Sequence, residues 1–287
     1  MTFGRLFDPY ADDLLPDAPN ELSEQPALRI ATWNVNSIRA RGRRLNSFLI
    51  RVRPHVLCVQ ETKIPNLDSD TLDLLDSHGY DVAHIGEKSY NGVAIASRIG
   101  LGDTQRAGEF DNPTLDAEAR TIAATVETAY GPIRICSVYI PHGRSLEDDH
   151  YQYKLTYLAQ LEALARTWQE HTPVILAGDF NVALTDEDCY NPGAWKGKTH
   201  LSPPERTSYQ QLINSGYLDT DRQLHPAGAR YTWWGHRNPV EANHGLRIDA
   251  ILLDTRLGDH LAASCVDRAE RSAVEPSDHA PVICDLV

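Results

Sequence analysis

The chain has 287 residues, 41% hydrophobic and 23% charged, the composition of an ordinary folded protein with enough material for a large buried core. Its net charge of -13 weighs against a nucleic-acid partner, because phosphate binding leaves a basic footprint. No apolar run approaches the roughly 20 residues that cross a bilayer, and the start of the chain lacks the basic and apolar segments of a secretory signal, so a cytoplasmic protein with no membrane partner is expected.

The average charge conceals an uneven distribution. Residues 1–26 carry six acids (Asp8, Asp12, Asp13, Asp17, Glu21, Glu24), one base (Arg5) and four prolines, and read as a poorly ordered leader ahead of a domain at 27–287. Conversely, Arg39, Arg41, Arg43, Arg44, Arg51 and Arg53 fall within fifteen residues that contain no acid. Five cysteines without a Cys-x-x-Cys spacing argue against a disulfide framework and against zinc, and are expected to be reduced and structural.

In chain order, Leu28 to Trp33 forms a first strand, ending in Asn34-Val35-Asn36. Leu45, Phe48, Leu49 and Val52 at helical spacing predict a helix over the arginine-rich segment, its arginines lining an outer face that is either solvated or turned toward phosphate. Val56 to Val59 is a strand followed by Gln60-Glu61-Thr62-Lys63, and Leu67 to Ser77 is a short helix closed by Gly79. Strands follow at 92–97, 120–127 and 133–140, the last two forming a hairpin about Tyr130-Gly131-Pro132. The second of that pair runs into Tyr139-Ile140-Pro141-His142-Gly143-Arg144. A long helix covers 146–169. Pro173 to Gly178 is an apolar strand that ends in Gly178-Asp179-Phe180-Asn181, which reads alone as either a turn or a site. After a loop holding Trp195 and a helix at 206–214 come Tyr231-Thr232-Trp233-Trp234, a strand from Leu246 to Leu253 with Asp249 inside it, and Ser277-Asp278-His279 before a terminal strand. Strands outnumber helices and neighbour one another, which predicts one α+β domain of packed sheets flanked by helices.

The strand ends collect Asn34, Asn36, Glu61, Tyr139, Asp179, Asn181, Asp249, Asp278 and His279. These are oxygen ligands and hydrogen-bond donors with one imidazole and no thiolate, a set suited to a hard cation, Mg²⁺ or Mn²⁺. Such a cation with carboxylate, amide and imidazole is equipment for attacking a phosphodiester with water. Gly-x-Ser-x-Gly and phosphate-cradling glycine motifs are lacking, which disfavours covalent serine chemistry and nucleoside triphosphate binding.

The series Thr32-Trp33-Asn34-Val35-Asn36, Gln60-Glu61-Thr62-Lys63, Asn91-Gly92-Val93-Ala94, Tyr139-Ile140-Pro141, Gly178-Asp179-Phe180-Asn181, Gly245-Leu246-Arg247-Ile248-Asp249 and Ser277-Asp278-His279-Ala280-Pro281 resembles the exonuclease III family of apurinic/apyrimidinic endonucleases. The resemblance implies a four-layered α/β/β/α sandwich and a Mg²⁺-dependent DNA phosphodiesterase, with Mn²⁺ able to substitute. Its substrate would be duplex DNA with abasic sites or blocked 3′ ends, and a monomer is expected. It implies Glu61 as a metal ligand with Asn34 and Asp278 beside it, Tyr139 on the scissile phosphate, and Asp179 activating water or protonating the leaving oxygen. Asn181 would hold water and phosphate, and Asp249 would orient His279 toward a phosphate oxygen. Trp233, Leu246 and Ile248 match an apolar wall against an abasic sugar, with Asn36, Arg39, His142 and Arg144 as further DNA contacts. The family usually has an amide where this chain has His142, which is expected to contact phosphate and to sharpen the pH dependence of activity. A lipid or inositol phosphatase of the same superfamily and a silent DNA-damage binder are the alternatives.

Overall fold

The computed structural model describes residues 18–235 and 240–287. Among them the strands run in chain order as β1 (Leu28–Asn34), β2 (Val56–Gln60), β3 (Asp81–Ile85), β4 (Val93–Ser97), β5 (Gly102–Arg106), β6 (Thr121–Thr128), β7 (Gly131–Tyr139), β8 (Val174–Asp179), β9 (Tyr217–Asp219), β10 (Asp249–Asp254), β11 (Leu261–Val266) and β12 (Val282–Leu286). The helices are α1 (Gly42–Val52), α2 (Ser69–Ser77), α3 (Asp149–Gln169), α4 (Pro203–Asn214), α5 (Thr220–Leu224) and α6 (Arg268–Ser272). One six-stranded sheet has the order β11-β12-β1-β2-β4-β3 and the other β5-β6-β7-β8-β10-β9. Both are mixed, since β1 and β2 run parallel, as do β7 and β8, within otherwise antiparallel ladders.

Alternation along each strand builds the layers. Leu28, Ile30, Val56, Cys58, Val93 and Ile95 of the first sheet meet Ile122, Ile133, Ile135, Ile175, Ala177 and Ile251 of the second in the central core. The intervening residues face outward. Ala31, Trp33, Leu57 and Val59 pack under Leu45, Phe48, Leu49 and Val52 of α1, while Cys136, Val138, Val174 and Leu176 pack under Tyr157, Leu158 and Leu161 of α3 and Tyr209 and Leu212 of α4. The expected α/β/β/α sandwich is the observed fold, and all five cysteines are unpaired and buried.

Local signals set the helix limits. Asp68 caps α2 through the Thr71 N–H and Asp148 caps α3 through the His150 N–H. Ser202 and Glu205 form a reciprocal capping box at α4. The expected hairpin closes between Thr128 and Gly131, whose φ of +86° suits glycine. Among the described residues no helix is long and apolar enough to cross a membrane.

The structure refines several expectations. Two arginines leave the outer face of the arginine-rich segment: Arg44 is buried against Glu270, and Arg51 pairs with both Asp267 and Glu270, while Arg39, Arg43 and Arg53 stay exposed. The acids that neutralise these two lie more than two hundred positions away. Trp234, next to the rim residue Trp233 in sequence, is fully buried with Tyr231, Val240 and Ala280. The strand expected from Leu246 begins at Asp249, because Leu246 instead bridges to Trp233 and Cys189. The last described part of the leader is tied down, Leu22 against the α1 layer and Ser23 to Asp285 and Arg29; its first seventeen residues, including Asp8, Asp12, Asp13 and Asp17, lie outside the described residues.

Candidate active site

The inner-face positions of the central strands turn polar at one end of the sandwich. In β1 the inward series Leu28, Ile30, Thr32 closes on Asn34; in β7 Ile133, Ile135, Ser137 closes on Tyr139; in β8 Ile175, Ala177 closes on Asp179; and β10 enters with Asp249 ahead of Ile251. Two-residue periodicity that fills the core therefore also delivers these four side chains into one volume between the sheets. Asn34, Asp179 and Asp249 are at most 1% exposed.

The polar residues beyond the strands arrive by a different route than extended alternation. Asn36 and Asn181 both have left-handed backbones, with φ of +46° and +52°. Each N–H donates back to the side chain two residues earlier, Asn36 to Asn34 Oδ1 at 3.0 Å and Asn181 to Asp179 Oδ1 at 2.9 Å. The Asp179 and Asn34 motifs are thus turns and site residues at once. Glu61 follows inward-facing Gln60 and would point outward in an extended chain; its φ of +54° turns the carboxylate back, where Asn34 Nδ2 donates to Oε1 at 2.8 Å.

Hydrogen bonds connect the set. Asn34 Nδ2 also donates to Asp179 Oδ2 at 3.0 Å. His279 Nδ1 meets Asp249 Oδ2 at 2.8 Å, an oxygen that Thr232 Oγ1 also engages at 2.6 Å. His279 Nε2 stands 3.8 Å from Asp179 Oδ2. Asn181 Nδ2 donates to the Ile140 carbonyl at 2.9 Å.

These neighbours set the protonation states. Burial, reinforced by Asp249, pushes the Asp179 carboxyl up to about 8, against the pull of His279 and the Asn34 hydrogen bond. Burial acts to lower His279, but Asp249 and then Asp179 outweigh it and raise the imidazole to about 10. Glu61 is held below the usual carboxylate range: burial opposes ionisation, yet Lys63, with Nζ 2.7 Å from Oε2, overrides it. Burial and the two carboxylates Glu61 and Asp179 hold the Tyr139 hydroxyl well above its ordinary value, so it stays a donor.

The donor set fits a hard divalent cation. One oxygen each of Glu61 and Asp179 and one ring nitrogen of His279 lie within 4.8 Å of one another. The protonated imidazole has no lone pair to give a metal, so the carboxylates are the ligands this group offers, and Asp249 Oδ1 is buried without a hydrogen-bond partner. Asn34 directs its NH₂ to the two carboxylates, so its part in that group is to orient them. Asp278 accepts from Asn36 Nδ2 at 2.8 Å and from Trp233 Nε1 at 3.1 Å, placing it between the ring and its apolar rim.

On that rim Leu246 and Ile248 are buried with Ala183 and Cys189, and Trp195, Leu201 and Trp233 pack over them. Trp195 and Leu201 are additions that sequence reading did not assign, carried by a loop without periodicity. Arg144 is exposed and 3.8 Å from Asp148, and exposed Arg39 pairs with Asp68. His142 Nδ1 accepts from the Arg144 N–H and its Nε2 meets His200 Nε2, so both ring nitrogens have partners within the protein. Lys63, Thr232 and Arg120, whose guanidinium lies 4.7 Å from the Tyr139 ring centroid, were also missed. Lys63 had a signal, standing two residues after Glu61 inside a quoted motif.

Comparison with known proteins agrees with this geometry. The family model described as Endonuclease/Exonuclease/phosphatase family matches residues 31–279. Exodeoxyribonuclease III of Haemophilus influenzae is 30% identical over 265 residues, covering 89% of this chain and 98% of the relative. The 3′ phosphatase NExo from Neisseria, solved bound to product DNA hairpin, superposes with a TM-score of 0.81 at 36% identity, over 91% of this chain and 99% of that one. An AP endonuclease from Archaeoglobus fulgidus gives a TM-score of 0.83 at 32% identity, over 90% and 99%. With its sandwich, its polar strand ends and these relatives, the chain belongs to the endonuclease/exonuclease/phosphatase family, in the branch of exodeoxyribonuclease III and the AP endonucleases.

Proposed function

We propose that this chain is a divalent-metal-dependent DNA phosphodiesterase of base-excision repair, incising duplex DNA 5′ to abasic sites and removing 3′ blocking groups and nucleotides. The observation that carries the reading is Asp179, buried at the end of β8 with Asn34, Asp249 and His279 around its carboxylate. Names of the relatives support it: an exodeoxyribonuclease, a 3′ phosphatase and an AP endonuclease. Mg²⁺ is the proposed cation, with Mn²⁺ as a substitute, and a cytoplasmic monomer is the proposed state.

In this reading Glu61 holds the cation, with Asn34 orienting its carboxylate and that of Asp179. When bound, the cation neutralises charge on the phosphate and acidifies water. His279, kept protonated by Asp249, directs its Nε2–H toward a non-bridging phosphate oxygen, and the Tyr139 hydroxyl donates to the same group. A carboxyl poised near neutral pH can accept the proton of the attacking water and return it to the leaving 3′ oxygen, and Asp179 has that poise. Asn181, fixed by its own hydrogen bonds, positions water and phosphate beside it. Trp233, Leu246 and Ile248 form the apolar surface on which a sugar without a base is received, which favours DNA over lipid or inositol phosphates. A silent binding module would lack one of the reacting groups, and the sequence carries Glu61, Tyr139, Asp179, Asn181, Asp249 and His279.

The test is incubation with duplex DNA bearing one tetrahydrofuran abasic analogue, with Mg²⁺ or with chelator, beside a phosphoinositide headgroup as competing substrate. Metal-dependent incision on the 5′ side of the analogue supports the reading. Release of phosphate from the headgroup without incision would replace it with the lipid alternative, and DNA binding without turnover would favour the silent module.

A further inference from the structure

Beneath the candidate site lies a chain of buried polar groups that the proposed chemistry does not use. The Asn181 carbonyl accepts from two of them, Lys154 Nζ at 2.7 Å and His200 Nδ1 at 2.6 Å. Lys154 is fully buried and His200 is 3% exposed. Two donors on one carbonyl hold a non-glycine residue in a left-handed conformation directly after Asp179 and Phe180. The grip therefore lies on the backbone that aims the Asn181 amide.

The hydrogen-bond directions in this chain are forced. Asn181 O can only accept, so His200 Nδ1 carries the proton and His200 Nε2 presents a lone pair. At the other end the Arg144 N–H donates to His142 Nδ1 at 3.1 Å, so His142 Nε2 carries the proton. The two Nε2 atoms are 3.3 Å apart, one donor facing one acceptor, with rings edge to face at 87°. Every link is complementary only while both rings are neutral. A proton added to His200 sets two N–H groups against each other, and one added to His142 sets its Nδ1–H against the Arg144 amide.

We propose that His200, fixed by His142, is a positioning residue for Asn181, and that the neutral imidazole pair is the element that keeps the Asn181 backbone in its working conformation. The inference deepens the proposed nuclease reading and rests on it. The surroundings favour the neutral pair. Burial and then Lys154 hold both histidines below the usual imidazole range, His200 furthest. His142 is desolvated where its ring meets His200, although the residue as a whole remains exposed. Groups facing the pair are Lys154 and His150 of α3, Glu205 of α4, Glu61 after β2 and His279 before β12. Glu205 is engaged by Lys154, by the His200 N–H and by Ser202, and Trp195 closes the pair from the rim at 5.4 Å from the His200 ring.

The test has two arms. Nitrogen-15 NMR of the wild-type protein at about pH 7 should show His142 as the neutral Nε2–H tautomer and His200 as the neutral Nδ1–H tautomer. This arm is independent of catalysis, so it separates failure of the pair from failure of the nuclease reading. In the second arm, abasic-site incision is followed for the wild type, H142Q, H200A and H200Q. Loss of the His200 ring should lower kcat by roughly 10- to 100-fold, the range expected for a displaced positioning group, with KM little changed. Glutamine at 142 can donate and accept at every pH, so its profile, normalised at about pH 8, should fall less than wild type on acidification to about pH 5.5. A protonated imidazole or the opposite tautomers at pH 7, H200A and H200Q with wild-type kcat, or superimposable profiles for H142Q and wild type would each overturn the proposal. Should H200A not fold, H200Q and the tautomer spectrum decide.

Discussion

Asp249 stands directly opposite Asp179 in the antiparallel β8–β10 register, so two buried carboxylates share one strand pair with the His279 imidazole set against both. Like charges in such a place cannot both ionise freely. The imidazolium lies 2.8 Å from Asp249 and 3.8 Å from Asp179, which in the proposed reaction makes Asp179 the carboxyl that exchanges its proton.

The packing under this pair has little slack. A Cβ on Gly178 would come within 1.9 Å of the Val138 carbonyl oxygen and 2.9 Å of its carbon, both in the neighbouring β7 backbone. Gly178→Ala should cost more than about 4 kcal/mol, the range of severe steric defects. Chemical denaturation checks it, and a midpoint within error of wild type would show that β7 and β8 can separate.

The reactive strand ends were legible because one periodicity governs both core and site. The β-branched and apolar runs of β1, β2, β7 and β8 declare themselves, and their terminal polar residues stand out against them. Four strands escaped: β3, β5, β9 and β11. Each is the edge of its sheet, where one flank meets solvent. Gly102-Asp103-Thr104-Gln105-Arg106 shows the result, a strand with no apolar residue at all. In the arginine run the burial of Arg44 and Arg51 is illegible for the opposite reason, since their partners Asp267 and Glu270 come from the far end of the sequence. Lys154 and His200 gave no signal either, as their meeting with Asn181 is made only by tertiary packing.

Arg247, between the wall residues Leu246 and Ile248, is buried in an ion network with Asp188 and Asp219, and Asp188 also receives Arg222. Burial opposes the Asp188 charge, but Arg247 and Arg222 draw its carboxyl down to about 2. A depressed carboxylate stabilises above its unfolded value and loses that contribution as pH falls toward about 2. Asp188→Asn should therefore destabilise by about 3 kcal/mol at neutral pH, as removal of one member of a buried pair does. Urea unfolding measures this, and a loss below about 1 kcal/mol would mean that solvent reaches the network.

His84 predicts an acid-side slope. Burial, helped by Arg106, lowers its imidazole to about 4, while Nε2 meets Thr62 Oγ1 at 2.9 Å. The unfolded chain then binds a proton first, so stability is full above about 6.5 and declines as pH falls toward about 4. His84→Gln should flatten that decline. Urea midpoints of the two proteins at a series of pH values report it, and parallel curves would assign the acid sensitivity to other groups.

Single-turnover incision by Asp179→Asn tests the proposed chemistry most directly. The substitution removes the titrating group while keeping the volume, and its single amide oxygen still accepts from the Asn181 N–H, although the bond from Asn34 Nδ2 to the second carboxylate oxygen is lost. Measured beside circular dichroism and affinity for abasic duplex in Mg²⁺, the variant should fold and bind DNA as the wild type does, with incision slowed at least about 100-fold, the lower end of what general acid–base help supplies. Incision within about tenfold of wild type would contradict the account and leave the Asp179 motif a turn that merely closes β8.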